Sequence, residues 1–314
     1  SQRSVRTLWG ERPRDATDPP EGMEPALQRG APHRTYDIHQ RHAASWGWKV
    51  SAYLWTKSIA AGVVMVPAML VPFERRALID ESIGLGWIVA LLFLAITGVL
   101  LVSDLKRPER FLWVLLRPQW SSWLVRGAYG ITFFGCVVTL GWWHGNPTDS
   151  WVGLLLLALG GLGGTFVAIY TGWLFGQAKG RDLWQSAWSP IHLGFQALVA
   201  GAAVLLLIRP VALSDLHGVL AMALLIELPF ILLEVFGKHS TEAARLASRS
   251  MTLGARGWWL LGGAIGVGRI VPLMLLWGLP AAELTHICSG LLALVGLAIW
   301  EHLWVEAPQR LPLA

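Results

Sequence analysis

The sequence predicts an all-α polytopic membrane protein with eight transmembrane helices. Three observations carry that prediction. Only 14% of the 314 residues are charged and 54% are hydrophobic, whereas about a quarter of a soluble domain is charged. Apolar runs of about 20 residues recur along the chain, each long enough to cross a hydrocarbon core of about 30 Å. The runs are continuously apolar and do not alternate, which excludes a membrane β-barrel. Helices remain, because lipid offers exposed backbone amides no partner.

Taken in order, residues 1–45 form a polar arm carrying Pro13, Pro19, Pro20, Pro25 and Pro32. It has no short apolar core with a small-residue cleavage site, so it is not read as a secretory signal. Its length and its Trp9, Tyr36 and His39 favour an arm that folds against a partner subunit over a solvated tail. The membrane domain occupies 46–304, with spans near 48–72, 83–103, 122–143, 151–174, 190–208, 215–237, 257–279 and 284–304; residues 305–314 form a C-terminal tail. Connections at 144–150, 209–214 and 280–283 are short, which implies antiparallel hairpins. Many of the 19 Trp residues, among them Trp46, Trp48, Trp123, Trp143, Trp151, Trp258 and Trp304, sit at run ends. That is the interfacial belt expected of amphipathic rings. Glycines in the fourth and seventh spans (Gly160, Gly161, Gly163, Gly164, Gly262, Gly266) read as helix-contact positions.

Charge orients the spans. Nineteen of the 25 Lys and Arg residues lie on the face shared by the arm, the loops after spans two, four and six, and the tail. The opposite face carries Arg75, Arg76 and Arg209, while Lys57, Arg126 and Arg269 fall within spans. The positive-inside rule places the first face, and both termini, in the cytoplasm. The net charge of +5 borders membrane spans and is not read as a nucleic-acid footprint. The two cysteines, Cys136 and Cys288, lie in separate apolar runs. This chain therefore cannot ligate an iron–sulfur cluster by itself, and no metal site is expected.

Ionisable groups inside spans are costly and favour an interior path or a site. At the cytoplasmic level lie Tyr53, Lys57, Asp104, Arg126, Tyr129, Tyr170, His192, Gln196, Glu234, Glu301 and His302. Glu227 and Arg269 lie deeper, and His144, Asp215, His217, Glu283 and His286 lie near the other face. Tyr53 and Lys57 share a helix face, as do His192 and Gln196, and Glu227 lies two turns from Glu234. Each charge has a structural reading as one half of an internal pair: Arg126 with Asp104, Arg269 with Glu227, Lys57 with a neighbouring acid. Their crowding at one depth points instead to a polar pocket sized for a small amphipathic ligand. No histidine lies mid-span, so a bound haem is not expected.

The loop from Asp104 to Gly130, DLKRPERF followed by LLRPQWSSWLVRGAYG, resembles the membrane subunits of NrfD type, the family that includes the polysulfide reductase membrane subunit. WGWKVSAYLWTKSIAAG (Trp46 to Gly62), YTGWL (Tyr170 to Leu174) and EHLWVEAPQRLPL (Glu301 to Leu313) are similar to further blocks of that family, so the likeness covers all eight spans. It implies an eight-helix, quinone-binding subunit built as two four-helix bundles. A faint internal echo agrees: spans two to three and six to seven both end in an acid, cross a basic loop and resume with Arg-Gly. The resemblance further implies a quinone (menaquinone or ubiquinone), an iron–sulfur ferredoxin-like subunit, and a molybdopterin oxidoreductase subunit of formate or sulfur-compound type. Carried onto this chain, the quinone-binding residues are Tyr53, Lys57, Asp104, Arg126, Tyr170 and His192. Tyr53 stands where a histidine can sit in relatives. A proton path would use Glu234, Glu227, Arg269, Asp215 and His217, and Arg107 and Arg110 would dock the partner. Two other functions are compatible with the sequence: a structural membrane anchor without quinone chemistry, and an ion or proton transporter.

Overall fold

The computed structural model describes residues 46–104, 111–178, 180–209, 215–280 and 282–311. Among the described residues, ten helices of more than four residues follow one another: α1 (Trp48–Leu70), α2 (Arg76–Asp104), α3 (Phe111–Leu116), α4 (Trp123–His144), α5 (Trp151–Gly176), α6 (Ser189–Ile208), α7 (Leu216–Phe236), α8 (Glu242–Thr252), α9 (Gly254–Gly278) and α10 (Glu283–Glu306). Among the described residues, eight helices are long and apolar enough to cross a membrane, all but α3 and α8, and there is no strand. They alternate in direction. The starts of α1, α4, α6 and α9 and the ends of α2, α5, α7 and α10 share one face, here the terminal face.

α1 is the most enclosed span and α2 the least. α1 packs against α2, α5 and α6, and also touches α10. The tightest approach is Gly62 of α1 on Gly201 of α6: a Cβ at Gly62 would stand 1.8 Å from the Ala197 carbonyl oxygen, and one at Gly201 would stand 2.1 Å from the Gly62 carbonyl carbon. Both obstacles are backbone and cannot rotate away. Gly62→Ala is therefore expected to destabilise the fold by about 1–3 kcal/mol, the usual cost of overpacking. A lowered thermal midpoint in detergent would show it, with Gly98→Ala as control, since nothing lies within 4 Å of a Cβ at Gly98.

Three local features differ from the sequence expectation. α2 starts at Arg76, not near 83, because the polar turn RALIDES continues the helix beyond its apolar part. The basic loop after α7 contains α8, capped by Thr241, whose hydroxyl accepts from the Ala244 N–H at 3.2 Å. Leu246, Ala247, Ser250 and Met251 form its buried side. Third, α9 is a π-helix from Trp259 to Ile270. Its Gly262, Gly263, Gly266 and Gly268 have low α propensity, and Pro272 denies the Gly268 carbonyl an α-helical N–H. The Val271 N–H bonds instead to Gly266 O. Gly268 packs on Gly296 of α10, where an added Cβ would come within 2.4 Å of the Gly296 Cα.

Candidate functional site

Two polar sets sit between the terminal face and mid-depth of the molecule. The first is built on α1, α4 and α5. Lys57 is fully buried, about 13 Å from the start of α1 by helical rise. Its Nζ donates to the Ala168 carbonyl at 2.8 Å and to Thr171 Oγ1 at 2.5 Å, and lies 5.6 Å from the centroid of the Tyr170 ring. Tyr170 has its place because Gly127 of α4 lacks a side chain: a Cβ there would stand 2.0 Å from the ring. Tyr53, one turn before Lys57, is buried and within electrostatic reach of Tyr170, Asp104 and Glu301. Neither tyrosine hydroxyl makes a hydrogen bond among the described residues. Thr56 Oγ1 meets Thr97 Oγ1 of α2 at 2.8 Å and fixes the rotation of α1 on its other side.

The second set is built on α6, α7, α9 and α10. Arg269 and Glu227, both fully buried, form a two-point pair: Nη2 donates to Oε1 at 2.6 Å and Nε to Oε2 at 3.2 Å. The remaining Arg269 Nη1 reaches back along its own helix to Ala264 O at 3.0 Å. His192 stands between two acids, Nε2 being 3.7 Å from Glu227 Oε1 and Nδ1 3.3 Å from Glu234 Oε1. The second contact is an ion-pair distance without hydrogen-bond alignment, since both Glu234 oxygens lack an aligned partner. Phe230 and Trp300 flank the imidazole at 5.7 and 5.5 Å between ring centroids. Beside it lies a crevice with about 10 Å³ of room for water, whose polar walls are Ser189, His192, Gln196, Glu234 and Glu301.

An aromatic plug covers the terminal-face side. Trp46 stacks on Trp184 at 4.8 Å and meets Phe175 edge-on at 4.9 Å, and Phe175 meets Trp304 at 5.1 Å. Trp304 also lines the crevice. The segment after α10 ties this plug down. Gln309 and the Trp46 backbone bond reciprocally at 2.8 and 2.9 Å. Arg181, in the loop after α5, donates to the carbonyls of Pro308 and Leu311 at 2.6 and 2.7 Å. Burial pulls the Arg181 guanidinium below its ordinary value.

The structure thus brings Tyr53, Lys57 and Tyr170 together, and separately gathers His192, Glu227, Glu234 and Arg269. Arg126 stays outside both groups, and Asp104 borders the first only electrostatically, through Tyr53. Asp104 is exposed at the end of α2, and Arg126 is exposed, donating from Nε to Trp120 O at 2.7 Å and lying 4.7 Å from the Trp123 ring centroid. Asp215 pairs with Arg75 at 3.5 Å at the opposite face, and the His217 and His286 rings stack at 6.0 Å. His217 is about 15 Å along α7 from Glu227, and residues 218–226 between them are apolar or glycine. Arg107 and Arg110 lie outside the described residues. Sequence reasoning put Glu301 at this depth without a role and passed over Ser58, Thr171 and Ser189. Small hydroxyls in an apolar run give little signal until their neighbours are known. Among the described residues, no group of three or more His, Cys, Asp or Glu is arranged to hold a metal ion.

Known proteins share this pattern of sequence. The chain is similar to a selenate reductase subunit of Mesobacillus selenatarsenatis, with 23% identity over 310 residues, covering 81% of this chain and 71% of that protein. The family model described as polysulphide reductase, NrfD, matches residues 37–310, which takes in all eight spans, both polar sets and the strap after α10. The chain is a multi-pass membrane protein and belongs to the NrfD polysulphide reductase family.

Proposed function

We propose that this chain is the quinone-reactive membrane subunit of a respiratory oxidoreductase complex. One observation carries the reading: Tyr53 and Tyr170, both buried residues, show no hydrogen bond from their hydroxyls among the described residues, and they stand beside the buried Lys57 ammonium. Hydroxyls without a protein partner next to a cation suit a ligand that brings acceptor oxygens. A quinone headgroup has two carbonyl acceptors and an apolar tail suited to lipid. When bound, it supplies two-electron, two-proton redox chemistry. Tyr53, Tyr170 and Lys57 would hold its carbonyl oxygens. The crevice beside His192 takes about one water and is too small for a headgroup, so the acids around it serve protons and not quinone. Glu234 lies nearest the terminal face and Glu227 deeper, an order suited to passing protons. Movement across the whole membrane would need Asp215 and His217 to join through the apolar stretch of α7.

The electron partner would be an iron–sulfur ferredoxin-like subunit on the terminal face, joined to a molybdopterin oxidoreductase subunit. The likeness to a selenate reductase subunit supports a place in a reductase complex. The charge bias supports a cytoplasmic terminal face, with Arg107 and Arg110 near the docking surface. The test is binding of a quinone analogue, read by quenching of tryptophan fluorescence in membranes that retain the copurifying subunits. Tyr53→Phe and Tyr170→Phe are each expected to weaken binding about 3- to 10-fold, the value of one net hydrogen bond. No quenching in the parent complex would leave a structural anchor as the function.

A further inference from the structure

Glu301 of α10 has no part in the assignment above, yet it lies beside both polar sets, bonded to the residue after Lys57 and lining the crevice of His192 and Glu234. It is almost fully buried. Its Oε1 accepts from Ser58 Oγ on α1 at 3.5 Å, one residue past Lys57. Its Oε2 has no partner among the described residues and belongs to the wall of the crevice shared with His192 and Glu234. A bare carboxyl oxygen in a dry interior is tolerated where it carries a proton or meets an ordered water. The crevice has about 10 Å³ of room for water. Ser189 Oγ and Gln196 Oε1, both buried and unpartnered among the described residues, are further polar walls. A water needs two to four polar partners to settle in a cavity, and these atoms supply them.

The charges complete the argument. Arg269 is already matched by Glu227. Lys57 is held by the neutral oxygens of Ala168 and Thr171. Lys57 and His192 therefore remain to balance Glu234 and Glu301, and a proton can move among these four groups without changing the net charge of the interior. We propose that Glu301 is a proton-relay residue that joins the two polar sets, exchanging protons between the Lys57 side and the His192–Glu234 side through one water in the crevice. In the transfer, the Lys57 ammonium becomes an amine as Glu301 becomes a carboxylic acid. Glu301 then returns to carboxylate as a proton passes through the water to the Glu234 carboxylate. No electrons move in these steps.

The kinetic consequence rests on the proposed quinone reading; the protonation of Glu301 does not. Two measurements keep them apart. In membranes containing the intact complex, Glu301→Gln is expected to bind the quinone analogue within about twofold of the parent while maximal quinone turnover falls about 100-fold, the scale of a lost proton-transfer group. Glu301→Asp should recover most of that loss. In the purified chain, an infrared pH titration should show a protonated-carboxyl stretch that shifts in heavy water and is missing from Glu301→Gln. Should Glu301→Gln fail to fold, Gln196→Leu removes a wall of the water site and leaves Glu301 in place. It should slow turnover about tenfold and move the carboxyl band to higher frequency. A Glu301→Gln protein with parental turnover, or with the band unchanged, overturns the relay, as does an unmoved band in Gln196→Leu. If the parent complex binds no analogue and turns over no quinone, the quinone reading fails, and the infrared titration alone decides the relay.

Discussion

Arg269→Met is expected to be the most destabilising single substitution in the membrane domain, costing about 3–5 kcal/mol, because it leaves the Glu227 carboxylate buried without its cation. The guanidinium makes two bonds to Glu227 and one to the Ala264 carbonyl, and both partners of the ion pair are wholly enclosed. Methionine fills similar space, so the loss would come from charge and not from a cavity. Arg269→Lys would not rescue it, since an ammonium cannot reproduce the planar two-point contact. The double variant Arg269→Met/Glu227→Gln should recover more than half of the lost stability, as replacement of a complete buried pair is far milder than breaking one. Thermal unfolding of the parent, Arg269→Met, Glu227→Gln and the double variant in one detergent closes the double-mutant cycle. If the double variant is no more stable than Arg269→Met, the pair is not the source of the effect.

This pair also shows what the sequence makes legible. The eight spans were readable because hydrophobic length is a property of contiguous residues, and so was the depth of Glu227, Glu234, His192 and Lys57. Pairing across helices is not contiguous. Arg269 with Glu227 came out as expected, yet Arg126, expected opposite Asp104, bonds the loop carbonyl of Trp120 and covers the Trp123 ring. One residue of rotation decides whether an arginine near a helix end faces inward. The α9 π-helix was hidden for a related reason. Its glycines read as packing positions, but the run widens the helix as well, and Pro272 withdraws an N–H just beyond it. α8 was hidden because its arginines dominate the loop's composition, while its apolar side is small residues around Leu246 and Met251. Glu301 was visible as a buried acid, but its two-sided position depends on α1 and α10 touching.

Lys57→Met should separate stability from chemistry more sharply than any other change in the site. The ammonium is fully buried, and both of its hydrogen-bond acceptors are neutral. Glu301, the acid it helps to balance, makes no ion-pair contact with it and can take up a proton when it goes. Thr171 Oγ1 retains a contact with Ala168 O at 3.4 Å, so the acceptors it leaves behind are not isolated. Methionine matches the length of the lysine stem and removes the desolvation cost of a buried charge. The folded protein should therefore lose no more than about 1 kcal/mol, and replacement of a buried charge by an apolar group can even stabilise. A residue kept charged at such a place without a matching acid in contact has a task that packing alone does not supply. Under the proposed function that task is to meet a quinone carbonyl and exchange a proton with Glu301. Lys57→Met is expected to weaken quinone-analogue binding about tenfold, the value of one charge-assisted hydrogen bond. Maximal turnover should fall a further 100-fold or so, as for other proton-transfer groups. Parental turnover in a well-folded Lys57→Met complex would reduce Lys57 to a structural tie between α1 and α5.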